Sequence, residues 1–157
     1  MNIKLIAIGK TDNKNLQALI DEYTKRLGFY IKFDLDIIPD VKNVKNLSES
    51  EQKTKEGQLI LSKLTPTDQL ILLDENGKEF NSVGFSDFLQ KKMNSGIKTL
   101  VFVIGGPYGF SEEVYQKAQG KVALSQMTFS HQMVRLFVIE QIYRGFTILN
   151  KEPYHHN

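Results

Sequence analysis

The chain has 157 residues, no cysteine, 41% hydrophobic content, and 20 basic against 18 acidic residues for a net charge of +2. That length is enough for one domain, residues 1–157, with its own core, and the missing cysteines exclude a disulfide framework and thiolate metal or redox chemistry. No stretch approaches the ~20 apolar residues of a membrane span, so the expectation is a cytoplasmic protein, and so small a charge excess neither demands nor excludes a nucleic-acid partner.

The opening apolar run, Ile3 to Ile8 before Gly9, is too short and too early for a signal peptide and reads as a buried strand. Leu16, Leu19, Ile20, Tyr23 and Leu27 then recur at helical spacing, and Gly28 marks the stop. Phe33 to Ile38 is a second strand, closed by Pro39. Residues 40–57 are polar and charged, a loop leading into a helix, with Ser48 and Glu51 spaced as a capping box. That helix continues through Leu59, Ile60 and Leu64 and ends before Pro66.

Gln69 to Leu73 is a third strand, and Asp74-Glu75-Asn76-Gly77 reads as the turn that closes it. Ser82 to Met93 is a helix stopped near Gly96, Thr99 to Ile104 a fourth and almost wholly apolar strand, and Ser111-Glu112-Glu113 the start of a short helix. Val122 to Leu124 is a short fifth strand, and a last helix runs from Ser130 to about Leu149. Strands alternating with helices predict an α/β fold with a parallel sheet flanked by helices on both faces.

Ligands of open α/β sheets bind beyond the carboxyl ends of the strands. Three segments stand there: Leu73-Asp74-Glu75, Gly105-Gly106-Pro107-Tyr108-Gly109, and Leu124-Ser125-Gln126-Met127-Thr128-Phe129. The glycines offer bare backbone to a ligand, but they form neither a dinucleotide fingerprint nor a phosphate-binding P-loop. A plain structural turn accounts for them equally well.

The last helix leaves almost no polar stripe, so one apolar face packs on the sheet and the other wants cover. A homodimer supplies that cover; burial inside one subunit is the competing reading. Arg144 in this apolar helix is either half of an ion pair with Glu140, four residues back, or aimed at an anion. The tail Pro153-Tyr154-His155-His156-Asn157 reads as a frayed end by position, though a tyrosine beside a histidine can stack and move protons. No ligand spacing points to a metal.

Over its whole length the chain resembles the RlmH family of SPOUT-class rRNA methyltransferases. The resemblance rests on Lys55-Glu56-Gly57, Leu72-Leu73-Asp74 and Phe102-Val103-Ile104-Gly105-Gly106-Pro107-Tyr108-Gly109. It rests further on Leu124 through Arg135, on Glu140-Gln141-Ile142-Tyr143-Arg144, and on the terminal Pro153-Tyr154-His155.

The resemblance implies a C-terminal trefoil knot, a homodimer, and methyl transfer from S-adenosyl-L-methionine to N3 of a pseudouridine in helix 69 of 23S rRNA. The substrate it implies is the large subunit or the assembled ribosome. It also implies cofactor contacts at Leu73, Gly105, Leu124, Ser125, Gln126, Met127, Thr128 and Phe129, and catalytic roles for Arg144, Tyr154 and His155, with His131 mainly structural. Two positions depart from the family pattern: Ser130 stands where proline is usual, and the chain ends His155-His156-Asn157 rather than with a basic residue. Competing readings are a ribosome-assembly factor without transfer activity, which need not bind S-adenosylmethionine, and a methyltransferase on another RNA such as tRNA.

Overall fold

In the computed structural model, which describes residues 1–156, the chain begins with strand β1 (Asn2–Ile8), helix α1 (Lys14–Leu27) and strand β2 (Phe33–Ile38). A 3₁₀ turn at Val44–Asn46 precedes α2 (Glu49–Ser62), β3 (Asp68–Glu79), α3 (Ser82–Asn94) and β4 (Thr99–Ile104). The chain continues through α4 (Glu112–Lys117) and β5 (Gly120–Ala123) to α5 (Met133–Leu149). The strands form one sheet in the order β2-β1-β4-β3-β5, with parallel pairing throughout.

Alternation along the strands sends side chains to two separate cores. Ile3, Leu5 and Ala7 of β1 face the same side as Leu100, Phe102 and Ile104 of β4, where α1, α3 and α5 bury Ile20, Leu89, Ile139 and Ile142. Ile6, Ile8, Val101 and Val103 face the other side, against Ile60 of α2 and Val114 of α4. Central strands covered on both faces need apolar residues at every position, as in β4. The expected parallel sheet with helices on both faces is therefore present.

Several boundaries differ from expectation, each for a local reason. The third strand does not end at Leu73: β3 resumes pairing at Lys78 opposite Val122 and Glu79 opposite Ala123 after an irregularity. The turn-like residues Asp74–Gly77 make that irregularity rather than a chain reversal. The Asp74 carboxylate folds back to accept from the Asn76 N–H at 2.8 Å, and its other oxygen accepts from the Tyr115 hydroxyl at 2.5 Å. Gly77 lies so close to the crossing chain that a Cβ there would stand 2.6 Å from backbone atoms of Val122.

Helix α2 ends at Ser62, short of Leu64, and α5 begins at Met133 rather than Ser130. Ser48 and Glu51 form the capping box with both hydrogen bonds present, the Ser48 N–H donating to the Glu51 carboxylate at 2.7 Å. Gly28 does cap α1, but in the right-handed region at φ −60°, so it stops the helix without the left-handed turn that glycine usually supplies.

The tail is not frayed. After α5 the chain turns at Lys151 with φ 57°, the Glu152 N–H donates to the Thr147 carbonyl at 2.9 Å, and the Tyr30 hydroxyl donates to the Glu152 carboxylate at 2.6 Å. Asn157, the second half of the unusual ending, lies outside the described residues.

Candidate functional site

The exits of β3, β4 and β5 come together around a cleft of about 530 Å³. Its wall includes Leu73 and Asp74 from β3, Gly105 to Gly109 after β4, and Leu124, Ser125, Met127, Thr128 and Phe129 after β5. Seven of the eight cofactor positions expected from sequence are therefore gathered in one place. Gln126 is the exception; it is exposed and is not part of the wall.

Local chemistry explains why these loops hold their shape. The Gly109 N–H donates to the Gly106 carbonyl at 3.1 Å, and Gly109 sits at φ 82°, a conformation that glycine adopts at no steric cost. The Ser125 hydroxyl accepts from the Met127 N–H at 3.0 Å and turns the segment after β5. Tyr115, from the short α4, joins the wall and holds Asp74. Burial, then its hydrogen bond to Asp74, pushes the Tyr115 hydroxyl up to about 12, so it remains a donor at neutral pH. Sequence reasoning missed Tyr115 and Val134 as wall residues, because no local pattern shows which side of α4 or α5 meets the loops.

Behind the glycine loop lies a carboxylate that the sequence hides in a charged run. Glu56 is only 2% exposed and faces Gly106. One oxygen accepts from the Gln52 side-chain amide at 3.0 Å; the other finds no partner among protein atoms. Burial first, with Asp40 adding to it and the Gln52 bond opposing, raises its pKa above the ordinary 4.5. His131, Asp40 and Glu56 share a cavity of about 200 Å³ behind the loop. Burial and then the charge of Arg135 hold the His131 imidazole below its ordinary 6.5. Arg135 itself, 1% exposed, donates to the Ile8 carbonyl at 2.8 Å and the Thr11 hydroxyl at 3.0 Å and so ties α5 to the exit of β1.

A carboxyl whose folded pKa is raised binds its proton more tightly in the folded state. Stability is then fully present below about 4.5 and declines as pH rises through the higher folded value. Glu56→Gln, neutral and of the same shape, should flatten that decline. We expect it to melt at a higher temperature than the unaltered chain at pH 8, with the difference vanishing near pH 4. Calorimetric melts at several pH values measure this.

The three expected catalytic residues form a second cluster, and none of them lines the cleft of their own chain. Arg144 donates through Nε at 3.1 Å and Nη2 at 2.6 Å to the same Glu140 oxygen, and its Nη1 lies 3.3 Å from His155 Nδ1. Tyr154 donates to that Glu140 oxygen at 2.9 Å, lies beneath the Arg144 guanidinium and touches the Tyr23 hydroxyl at 3.4 Å. Burial, then these hydrogen bonds, drives the Tyr154 hydroxyl far above its usual 10.0. It is a fixed donor near neutrality, not a base. The Glu140–Arg144 ion pair expected from their spacing is present.

Between cleft and cluster lies an apolar cavity of about 300 Å³, lined by Leu124, Phe129, Phe137 and Glu140 among others. The sequence profile described as "Predicted SPOUT methyltransferase" matches residues 1–155. The chain belongs to the SPOUT methyltransferase family.

Relatives named "Ribosomal RNA large subunit methyltransferase H" resemble it from end to end. The protein of Flavobacterium johnsoniae is 84% identical over 99% of both chains, that of Christiangramia forsetii 64% and that of Bacteroides thetaiotaomicron 53% over the same shares. The resemblance drawn from the motifs is thus borne out, and with it a methyl-donor cofactor for this SPOUT chain. Among the described residues, no helix is long and apolar enough to cross a membrane, and no group of three or more His, Cys, Asp or Glu is placed to hold a metal ion.

Proposed function

We propose that this chain, as one SPOUT domain over its 157 residues, transfers a methyl group from S-adenosyl-L-methionine to N3 of a pseudouridine in helix 69 of the large-subunit rRNA, in the cytoplasm. The reading is carried by the 84% identity, over the full chain, to a relative named for large-subunit rRNA methylation. The site's chemistry supports it. A cleft of about 530 Å³ falls in the size range of small-ligand pockets, roughly 300–1,000 Å³. Leu73, Ile104, Leu124, Met127 and Phe129 offer apolar walls for a nucleoside ring, and the bare backbone at Gly105 and Gly106 offers donors and acceptors at close approach.

The cofactor supplies, when bound, a methyl group activated on a sulfonium. The chain's own part is to exclude water and to manage the proton of the base. Apolar walls keep the region around the sulfonium dry, which favours a reaction that disperses positive charge. N3–H must pass its proton to an acceptor, for which the cluster offers the His155 imidazole, to become nucleophilic, and Arg144 is the cation that would stabilise the resulting imide anion. Tyr154 and His155 hold that guanidinium from the sides and offer the base positioning contacts.

Within one chain this cluster stands apart from the cleft, and a homodimer in which the second copy brings it there completes the site. The apolar surface agrees with that reading. Met127, Phe129, Met133 and Phe137 are exposed next to the cleft, with the Phe129 and Phe137 rings 5.4 Å apart, a patch that a single folded chain does not ordinarily leave to water. A C-terminal trefoil knot belongs to the same reading. It is supported by the match of the SPOUT family profile to residues 1–155.

Ribosomes from a strain deleted for this gene should yield helix 69 fragments lighter by one methyl group in mass spectrometry. The purified protein with S-adenosylmethionine should restore the mass. Fragments already carrying the methyl group in the deletion strain would refute the assignment.

A further inference from the structure

On the open edge of the sheet, α3 and β5 border a groove of about 560 Å³ that the reaction described above does not use. Four lysines line it: Lys78 near the end of β3, Lys121 on the edge strand β5, and Lys91 and Lys92 in the last turn of α3. Lys78 pairs opposite Val122, the neighbour of Lys121. Asp87 is the one carboxylate in the wall. The whole chain has 20 basic residues against 18 acidic ones, so the groove's local excess is larger than that of the entire protein.

These charges are not spent on ion pairs, and their one side-chain hydrogen-bond partner among the described residues is neutral: the Lys92 amine donates to the Gln69 side-chain oxygen at 2.8 Å. Among the described residues, none of the four lysines forms a salt bridge. Two sit over aromatic rings of the groove instead, Lys78 4.9 Å from the centre of Phe80 and Lys92 5.5 Å from Phe88, while the Lys121 amine stands 5.6 Å from Tyr115, a wall residue of the donor cleft. A ring face holds an ammonium in place without neutralising it, so the amines stay ordered and available to an anion. The groove also leads to the site. Val122 lines the groove, the apolar cavity and the donor cleft, and Phe80 lines the groove and the apolar cavity.

We propose that this groove holds the phosphodiester backbone of the RNA strand flanking the nucleotide in the donor cleft, with Lys78, Lys91, Lys92 and Lys121 as the phosphate contacts. The inference rests on the rRNA reading and adds to it the surface that receives the substrate. Lysines supply point charges without a fixed fork, which suits a polyanion whose phosphates are held by charge rather than by sequence. Each phosphate neutralised releases counterions, so these contacts make substrate capture salt-dependent while leaving the methyl donor indifferent to them.

The test uses the full-length protein and ribosomes from a strain deleted for the gene, with methyl transfer followed across a series of KCl concentrations. In K78Q/K91Q/K92Q/K121Q, KM for ribosomes should rise by at least about tenfold, and the slope of log KM against log salt should fall by about three. The turnover number and the calorimetric affinity for S-adenosylmethionine should stay as in the unaltered protein, which also reports that the variant is folded. A control removing equal charge elsewhere, K14Q/K25Q/K32Q/K42Q, should leave the salt slope nearly unchanged. An unchanged slope in the groove variant, or an equal fall in the control, overturns the groove while the unaltered protein still methylates. An unaltered protein that methylates no ribosome overturns the rRNA reading and the groove with it.

Discussion

Substituting alanine for Arg144 is expected to slow methyl transfer by about 100- to 1,000-fold while leaving the affinity for S-adenosylmethionine within about twofold. The split follows from placement. Arg144 contributes nothing to the wall of the cleft in its own chain, and its guanidinium lies among Glu140, Tyr154 and His155. If it acts on the anion formed at the base, its loss raises the barrier to transfer without touching the donor.

A purely structural ion pair makes a different forecast. Arg144 and Glu140 are partly exposed, 25% and 18%, and four residues apart on one helix. Pairs of that kind are worth roughly 0.3–0.5 kcal/mol, too little to unfold the chain and too little to change the rate a hundredfold. The fold should therefore survive the substitution, and Arg144→Lys should recover only part of the rate, since an ammonium cannot keep the Glu140 contacts and the His155 contact together. Single-turnover transfer and calorimetric titration of the donor measure the two quantities. Equal losses in both would assign Arg144 to donor binding instead.

The sheet was readable from sequence because its signals are local. Phe33–Ile38 and Thr99–Ile104 have the bounds expected of them, the first alternating apolar and acidic residues before Pro39, the second an almost wholly apolar run before Gly105. The segments that line the cleft followed from the rule that ligands sit at strand exits, which needs only the strands. What failed was non-local. Asp74–Gly77 has the composition of a hairpin turn, yet the Tyr115 hydroxyl and the passing backbone of Val122 hold it as a break within one strand. The tail has the composition of a loose end, yet Tyr23, Tyr30 and Glu140, all distant in sequence, bind it down. For Arg144, Tyr154 and His155 the residues left a structural and a functional reading open and the family resemblance decided between them; spacing could pair Arg144 with Glu140 but could not say what else the guanidinium meets.

Glu56 is the sharpest case of a residue whose surroundings the sequence conceals, and the glycine facing it carries the second large prediction. A Cβ on Gly106 would overlap the Glu56 carboxylate. Something must then move. Glu56 is 2% exposed and fixed on α2, and the neighbouring Gly57 is itself packed against the side chain of Ser111, so the helix has no room to retreat. The loop is the softer partner. Gly106→Ala should displace the loop after β4 and lower the affinity for S-adenosylmethionine by about 10- to 100-fold, the loss a displacement of ~1 Å brings to a preorganised site. Removing the opposing carboxylate makes room, so Gly106→Ala placed in a Glu56→Ala background should cost much less than in the unaltered chain. A double-mutant cycle on calorimetric affinities reads that coupling directly. Strict additivity would mean that the glycine is required for its backbone freedom or its contact with the donor, and that the carboxylate behind it does not set the position of the loop.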